Sequence, residues 1–259
     1  MEFAVCSVSA AAVRREARHE SEMVNQLLFG DFVGILEYGK DGWAFIEGLV
    51  DKYKGWIRSA QLEIVDHATV DYENKWLLCS NGISDCIETN TGLIHVPFGA
   101  NLPGIKNGKA KMGTLSYSYS GEYLADRSKQ LGSVAVLTSI LARWINAPYL
   151  WGGRTMLGVD CSGFTQIVFK VIGIDLLRDA SEQAMQGQAV DFLQQASCGD
   201  LAFFDDSEGR IYHVGVLLNN HQIIHASGCV RIDAIDNAGI INKSSGERTH
   251  RLRIVKRYF

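Results

Sequence analysis

The stretch Gly158-Val159-Asp160-Cys161-Ser162-Gly163-Phe164 joins a glycine-rich loop to a predicted helix. Apolar residues then recur at helical spacing, at Phe164, Ile167, Val168 and Val171. Asp160 is a good N-cap, so Cys161 falls in the first turn, where free N–H groups and the helix dipole favour a thiolate. A thiolate can attack an amide carbonyl. The stretch therefore predicts a nucleophilic cysteine, with a buried structural cysteine as the alternative.

The composition argues against several classes of protein. The 259 residues carry a formal net charge of -4 without any basic run, which argues against a nucleic-acid partner. No apolar stretch is long enough to cross a bilayer, so we expect no membrane partner either. With 47% apolar residues, the chain can bury a core in one large domain or in two or three small ones.

The N-terminal residues and the cysteines indicate the cellular compartment of the protein. Residues Met1–Cys6 lack the basic region and apolar core of a signal peptide, which predicts a cytoplasmic protein. A secreted or periplasmic location stays open, because a trimmed chain would look the same. The six cysteines are scattered, so we expect reduced thiols, with Cys79 and Cys86 as the pair to check. No zinc spacing occurs, and nothing predicts a metal or an organic cofactor.

Two turn-rich regions precede the cysteine. Residues 1–66 contain short strand patterns separated by Gly and Asp turns, which predict a small barrel. Residues 67–122 are also turn-rich and aromatic, and we expect a second, more divergent barrel there. The first region resembles bacterial SH3-like domains in three segments, Leu27–Asp31, Asp41–Glu47 and Tyr53–Ile57.

The third region, residues 123–259, begins with helical patterns and ends with strands. A helix is predicted from Ser128 to Asn146 and a polar one from Ser181 to Gln188. Four strands are predicted after them, at Leu201–Phe204, Ile211–Leu218, Gln222–Ser227 and Arg251–Tyr258. Helices followed by an antiparallel sheet predict an α+β fold.

Two histidines lie on the two strands of a predicted hairpin, His213 on the first and His225 on the second. Asn219–His221 is the turn between them. A three-residue loop would pair Gly215 with His225 and place both histidines on one face as diagonal neighbours. A two-residue loop would place them on opposite faces unless a bulge intervened. Cysteine hydrolases need a base and a group that orients it, and this hairpin can supply both.

A single histidine on a strand is more often structural than catalytic. Here the small neighbours Gly215 and Ala226 leave room beside the pair, which favours the catalytic interpretation. The remaining histidines fall in turns or polar runs, and we predict that they are surface residues: His19, His67, His95, His221 and His250.

Six motifs occur in the order found in the NlpC-type cell-wall cysteine peptidases, and over residues 128–259 the chain resembles that family. The motifs are PYLWGG (148–153), DCSGF (160–164), RDASEQ (178–183), GDLAFF (199–204), HVGVLL (213–218) and IIHAS (223–227). The resemblance is greatest to the γ-D-glutamyl-L-diamino-acid peptidases, the dipeptidyl-peptidase VI type, which carry SH3-like domains ahead of the catalytic domain. It implies a circularly permuted papain-like catalytic domain preceded by one or two SH3-like barrels.

The resemblance also implies a role for each motif residue. Cys161 matches the nucleophile, His213 the base and His225 the residue that orients the base. Tyr149 matches a tyrosine that can donate to the oxyanion, and core packing is its alternative role. The implied substrate-binding residues are Asp160, Ser162, Asp179 and Ser181 from the catalytic domain, with Glu22 and Tyr53 from the first SH3-like domain.

The resemblance implies a hydrolase that attacks the γ-carbonyl of a D-glutamyl residue and passes through a thioester. We expect its partner to be a peptidoglycan stem peptide, L-Ala-γ-D-Glu-diamino acid with a free N-terminus, and we expect a monomer. Release of L-Ala-D-Glu from such short peptides would serve murein peptide recycling. Three alternatives stay open: a secreted endopeptidase on intact peptidoglycan, a non-enzymatic wall-binding module, and an acyltransferase on the same fold.

Overall fold

The computed structural model describes residues 1–70, 76–80 and 82–259, and these form two compact units. The first unit comprises residues 1–129 and 151–156, and the second comprises residues 130–150 and 157–259. Residues 71–75 and 81, inside the predicted second barrel, lie outside the described part. Among the described residues, every helix is too short or too polar to traverse a bilayer.

The first unit begins with an antiparallel sheet of seven strands. These are β1 (Glu2–Cys6), β2 (Ala10–Arg14), β3 (Met23–Leu28), β4 (Phe32–Tyr38), β5 (Trp43–Gly48), β6 (Lys54–Arg58) and β7 (Leu62–Val65). They pair in the order β3-β2-β6-β5-β4-β1-β7 around one apolar core. Inward side chains alternate along the strands, as at Ala11 and Val13 of β2. This SH3-like barrel confirms the prediction from short strands and Gly/Asp turns.

The rest of the first unit contains a one-turn helix, α1 (His67–Val70), and further short strands. These are β8 (Trp76–Leu78), β9 (Ser84–Thr89), β10 (Gly92–Pro97), β11 (Lys109–Met112), β12 (Leu115–Ser118), β13 (Leu124–Asp126) and β14 (Arg154–Thr155). Four of them pair in the order β10-β9-β12-β11, and β13 pairs with β8. That this region is a second SH3-like barrel stays a prediction.

Three helices belong to the second unit: α2 (Val134–Arg143), α3 (Cys161–Val171) and α4 (Ala180–Gln183). Helix α2 starts later than predicted because Gly132 has a φ of 64°, which an α-helix cannot contain, and Ser133 caps it instead. Helix α4 is only four residues long, since the chain turns at Gly187, with a φ of 66°. All residues of α3 are buried, and its Phe164 packs edge to face against Trp144.

The strands of the second unit form an antiparallel sheet beside these helices. They are β16 (Gln188–Val190), β17 (Leu201–Asp205), β18 (Ile211–Asn219), β19 (Gln222–Ser227), β20 (Cys229–Asp236), β21 (Gly239–Ile241) and β22 (Arg248–Arg257), and the short strand β15 (Gly158–Val159) lies outside this sheet. The sheet order is β16-β22-β17-β18-β19-β20-β21, and β21 also pairs with β22. Six strands therefore close on themselves around an apolar core. Together with the helices, they confirm the predicted α+β class.

Asp31 ties three parts of the first unit together. Its Oδ2 accepts the N–H of Leu28 at 2.9 Å and lies 3.0 Å from Nη1 of Arg154, and its Oδ1 accepts from Nδ2 of Asn101 at 2.8 Å. Arg154 is buried and also donates to the carbonyl oxygen of Gln26 at 2.7 Å. Because a buried guanidinium needs a counter-charge, Asp31 makes the position of segment 151–156 in this unit favourable.

We predict that Asp31→Ala lowers the free energy of unfolding by about 3–5 kcal/mol, since it leaves the buried Arg154 charge uncompensated. Urea denaturation followed by tryptophan fluorescence measures the change. Glu37→Ala is the matched control, because Glu37 is exposed on β4 of the same unit and should change stability by less than about 0.5 kcal/mol. Equal effects of the two substitutions would contradict the prediction.

Candidate active site

The N-terminus of α3 is held by buried polar contacts. Asp160 is its N-cap, as predicted, and its Oδ1 accepts the N–H of Gly163 at 2.7 Å. Arg178 is only 1% exposed and donates to both carboxylate oxygens of Asp160, from Nη1 at 3.1 Å and from Nη2 at 2.6 Å. The same Nη1 donates to Oγ of Ser162 at 2.8 Å. These contacts fix the residues on either side of Cys161.

The thiol of Cys161 lies against strand β18. Its sulfur receives hydrogen bonds from the backbone N–H groups of Val214 and Ser162. Val214 directly follows His213 on β18, so the strand that carries the predicted base meets the first turn of α3. The structure thus brings together Cys161 and the backbone of Val214, which lie 53 positions apart in the chain.

Burial disfavours a charge on both Cys161 and His213. Burial raises the pKa of the Cys161 thiol to about 12, and Asp160 raises it further, whereas Val214 N–H, Arg178 and Ser162 N–H oppose the rise. Burial also lowers the pKa of His213 well below the usual range, and His225 and His250 add to this. Desolvation of the sulfur therefore opposes the thiolate that the helix N-terminus favours.

The two predicted histidines meet across the hairpin. Gly215 pairs with His225 as expected, and Nε2 of His213 lies 2.8 Å from Nδ1 of His225. The turn is shorter than three residues, since Asn219 pairs with Gln222, and the register shifts between Leu217 and Asn219. This bulge restores the common face that a two-residue turn would otherwise have removed.

Asp233 is a buried neighbour of this pair that the sequence analysis did not single out. Its Oδ2 lies 3.0 Å from Nε2 of His225. In the ladder His225 pairs with Arg231, so Asp233 is its diagonal neighbour on β20. The alternating residues Arg231-Ile232-Asp233 after the turn at Gly228 could have indicated that Asp233 lies near His225. That inference needs the register of the second hairpin, β19 with β20.

His250 was predicted to be a surface residue, and this is wrong. Its ring stacks on His213, with centroids 4.2 Å apart and an interplanar angle of 29°. Burial and the nearby His225 lower its pKa to about 4. The four other histidines of that group are exposed, as predicted. The bulged pairing of β22 with β17, which no local pattern reveals, brings His250 to this place.

Tyr149 and the RDASEQ motif lie in the same unit. Tyr149 is 37% exposed, and burial together with the nearby Cys161 raises the pKa of its phenol to about 12, so the hydroxyl keeps its proton. Asp179 is the N-cap of α4. Ser181 is exposed and lines a groove of about 490 Å³ together with Met185, Ile211 and Arg253.

Glu22 and Tyr53 both belong to the first unit. Oε2 of Glu22 lies 2.7 Å from Nη2 of Arg15, and its Oε1 accepts from Nε1 of Trp151 at 2.7 Å. Tyr53 lies in the turn between β5 and β6, where its carbonyl accepts the N–H of Gly48 at 2.9 Å. All six cysteines of the chain are reduced, including the pair Cys79 and Cys86.

Two family models match the chain. Residues 146–249 match the NlpC/P60 family, and residues 13–62 match the bacterial dipeptidyl-peptidase SH3 domain. The chain therefore carries a domain of the NlpC/P60 cysteine peptidase family together with an SH3 domain of the dipeptidyl-peptidase type.

Two curated relatives carry the name γ-D-glutamyl-L-lysine dipeptidyl-peptidase. A γ-D-glutamyl-L-lysine dipeptidyl-peptidase of Bacillus subtilis strain 168 is 31% identical over 190 residues, which are 67% of this chain and 60% of the relative. A protein of the same name from Bacillus cereus is 35% identical over 112 residues, 41% of this chain and 33% of the relative. The chain thus spans about 60% and a third of the lengths of these two relatives.

Solved structures show the same fold. An NlpC/P60 family protein from Bacillus cereus aligns over 99% of both chains with a TM-score of 0.78 at 20% identity. An NlpC/P60 endopeptidase from Photobacterium damselae aligns over 90% of this chain and 66% of its own, with a TM-score of 0.69 at 17% identity.

We predict that Cys161 contributes no thiolate at neutral pH, because its buried sulfur has a raised pKa. The measurement is the difference in absorbance at ~240 nm between the wild type and Cys161→Ser, in which the other five cysteines cancel. We expect a flat difference up to about pH 9, above the ordinary cysteine range. A thiolate step near or below neutrality would contradict the neutral resting site.

Proposed function

We propose that this protein is a thiol peptidase that cleaves the bond between γ-D-glutamate and a diamino acid in peptidoglycan stem peptides. The observation that carries the proposal is the contact of the Cys161 thiol with Val214 N–H on β18, beside the hydrogen-bonded pair His213 and His225. The proposal takes Cys161 as the nucleophile, His213 as the base and His225 as the orienting group. The names of the two Bacillus relatives support the substrate class.

The first half of the reaction forms a thioester. As the sulfur of Cys161 attacks the γ-carbonyl carbon, its proton moves to His213, because both groups are neutral at rest. A thiol that loses its proton only during attack avoids a buried charge in the free enzyme. His213 then gives this proton to the nitrogen of the diamino acid, the C–N bond breaks and the amine leaves.

The second half hydrolyses the thioester. His213 takes a proton from water, the hydroxyl attacks the carbonyl, and the thiol leaves with that proton. The negative oxygen of both tetrahedral intermediates needs donors. The phenol of Tyr149 supports this role, because its raised pKa keeps the donated proton in place. His225 holds the imidazole of His213 in orientation through the 2.8 Å contact.

The proposed substrates are short peptides with a free N-terminal L-Ala, and the proposed role is the recycling of murein peptides. The bacterial dipeptidyl-peptidase SH3 match over residues 13–62 supports a preference of this kind. Binding of the peptide by Glu22, Tyr53, Asp160, Ser162, Asp179 and Ser181 stays a prediction. For Asp160 and Ser162 the contacts with Arg178 add a structural role.

We predict that Cys161→Ala removes turnover of L-Ala-γ-D-Glu-diaminopimelate, with a loss of more than about 10³-fold in kcat, because the thioester cannot form. Cys86→Ala is the matched control, since Cys86 is an exposed thiol on β9 of the first unit. Mass spectrometry of the products measures both. Retained turnover in Cys161→Ala would refute the nucleophile.

The same assay with free and N-blocked peptide tests the proposed specificity. Release of L-Ala-D-Glu only from the free peptide is the expected result for a dipeptidyl-peptidase. Equal cleavage of a peptide blocked by muramic acid would instead indicate a wall endopeptidase and would remove Glu22 and Tyr53 from the predicted binding residues.

We also predict that kcat/KM stays level as the pH falls through about 6.5, the ordinary histidine pKa. His213 must be neutral to accept the thiol proton, and burial lowers its pKa well below that value, so the acid limb lies at lower pH. The measurement is kcat/KM between pH 4.5 and 8, on the order of one point per half unit. An acid limb centred at or above the ordinary value would contradict the buried neutral base.

A further inference from the structure

We propose that Asp233 is a positioning residue that sets the tautomers of His225 and His213, so that Nδ1 of His213 is free to accept the thiol proton. The inference rests on the proposed function for its catalytic consequence, but the tautomers themselves can be measured without any substrate. It assigns a role to a side chain two hydrogen bonds away from the imidazole nitrogen that does the chemistry.

The surroundings of Asp233 leave it only as an acceptor. Its Oδ1 accepts the N–H of Lys243 at 2.8 Å and Nη2 of Arg231 at 2.9 Å. Its Oδ2 faces Nε2 of His225 and also lies 2.9 Å from Nε of Arg231, which makes no hydrogen bond there. Burial would raise the pKa of this carboxyl, yet the hydrogen bonds from His225, Lys243 and Arg231 together hold it well below its usual range. An ionised carboxylate has no proton to donate.

The tautomers follow one from the other. Because Asp233 accepts, Nε2 of His225 must carry a hydrogen and donate across the 3.0 Å contact. A neutral imidazole has one donor and one acceptor nitrogen, so Nδ1 of His225 is bare. That bare nitrogen accepts from Nε2 of His213 across 2.8 Å. The single hydrogen of neutral His213 is thereby placed on Nε2, which leaves its Nδ1 as the acceptor.

The direction of the hydrogen bonds that link His213, His225 and Asp233 matters for the proposed reaction. If His225 instead carried its hydrogen on Nδ1, it would donate to Nε2 of His213 and move the hydrogen of that ring to Nδ1. The ring would then have no lone pair for the thiol proton. The orientation of His213 would be unchanged, so a purely geometric support such as the stack with His250 could not compensate.

The wild-type protein tests the tautomers directly. Two-bond ¹⁵N–¹H spectra of the histidine rings, at about pH 8 where an ordinary imidazole is neutral, distinguish the two nitrogens. We expect both His213 and His225 to carry hydrogen on Nε2 and to have a bare Nδ1. A hydrogen on Nδ1 of either ring, or a doubly protonated His225, would overturn the proposal.

Asp233→Asn is the informative variant, because the surroundings dictate how the amide lies. Lys243 N–H and Nη2 of Arg231 both donate hydrogen bonds to the Oδ1 position, whereas Nε of Arg231 lies near Oδ2 without a hydrogen bond. The amide oxygen therefore belongs at the Oδ1 position, and the NH₂ group faces Nε2 of His225. That donor reverses both tautomers. We expect kcat to fall on the order of 10³-fold while KM changes little, as for a wrong tautomer in other nucleophile–histidine systems.

Asp233→Ala separates tautomer control from packing. It removes the carboxylate without supplying a donor, so both tautomers of His225 become accessible and kcat should fall only about 10-fold. A packing role predicts the opposite order, with the isosteric Asn tolerated better than Ala. Asp236→Asn, the same change at the half-buried C-terminal end of β20, is the control and should leave kcat within about twofold. An Asn variant as active as the control, or more active than Ala, would overturn the proposal.

Failure of the two proposals can be told apart. A wild type with the expected ring spectra but no peptidase activity would refute only the proposed function. An active wild type with hydrogen on Nδ1 of His213 would refute only the role of Asp233. Ring spectra of Asp233→Asn with hydrogen moved to Nδ1 of both histidines would confirm the reversal even if that variant loses stability.

Discussion

The strand register of β18, β19 and β20 is the constraint on which the rest of the site depends. Side chains alternate between the faces of a sheet, so a slip of one residue would move a histidine to the wrong face. The bulge at Leu218 absorbs one residue beside the short turn and keeps His213 and His225 together. The next hairpin, with His225 opposite Arg231, continues the diagonal to Asp233. One register thus aligns three polar residues across three strands.

Burial decides the electrostatics of this alignment. The Asp160–Arg178 pair holds the first turn of α3 in a dry environment, where an isolated thiolate is costly. Burial likewise lowers the pKa of His213 well below its usual range. The ionised Asp233 is tolerated because backbone and side-chain donors surround it. The ionised group is therefore Asp233, which lies at the end of the hydrogen-bond chain that is farthest from the sulfur of Cys161.

Much of the local structure could be predicted. Strand Gln222–Ser227 has the bounds expected from its β-branched pattern, and Asp160 caps α3 as its side chain suggests. The predictions that are wrong have physical causes. Helix α2 starts late because Gly132 adopts a positive φ. Contacts such as Arg154 with Asp31 join residues 123 positions apart, and no local pattern encodes them.

The sequence by itself determined the α+β order of elements and predicted Cys161 as the nucleophile beside a pair of histidines, because these depend on residue type, periodicity and spacing along one strand or helix. Only the tertiary structure decided that burial raises the pKa of the thiol, that His250 stacks on His213 and that Asp233 ends the hydrogen-bond chain. The physical reason is that burial and strand register are properties of the whole packed unit. A side chain's neighbours across a sheet, and the water excluded around it, are set by segments far away in the chain.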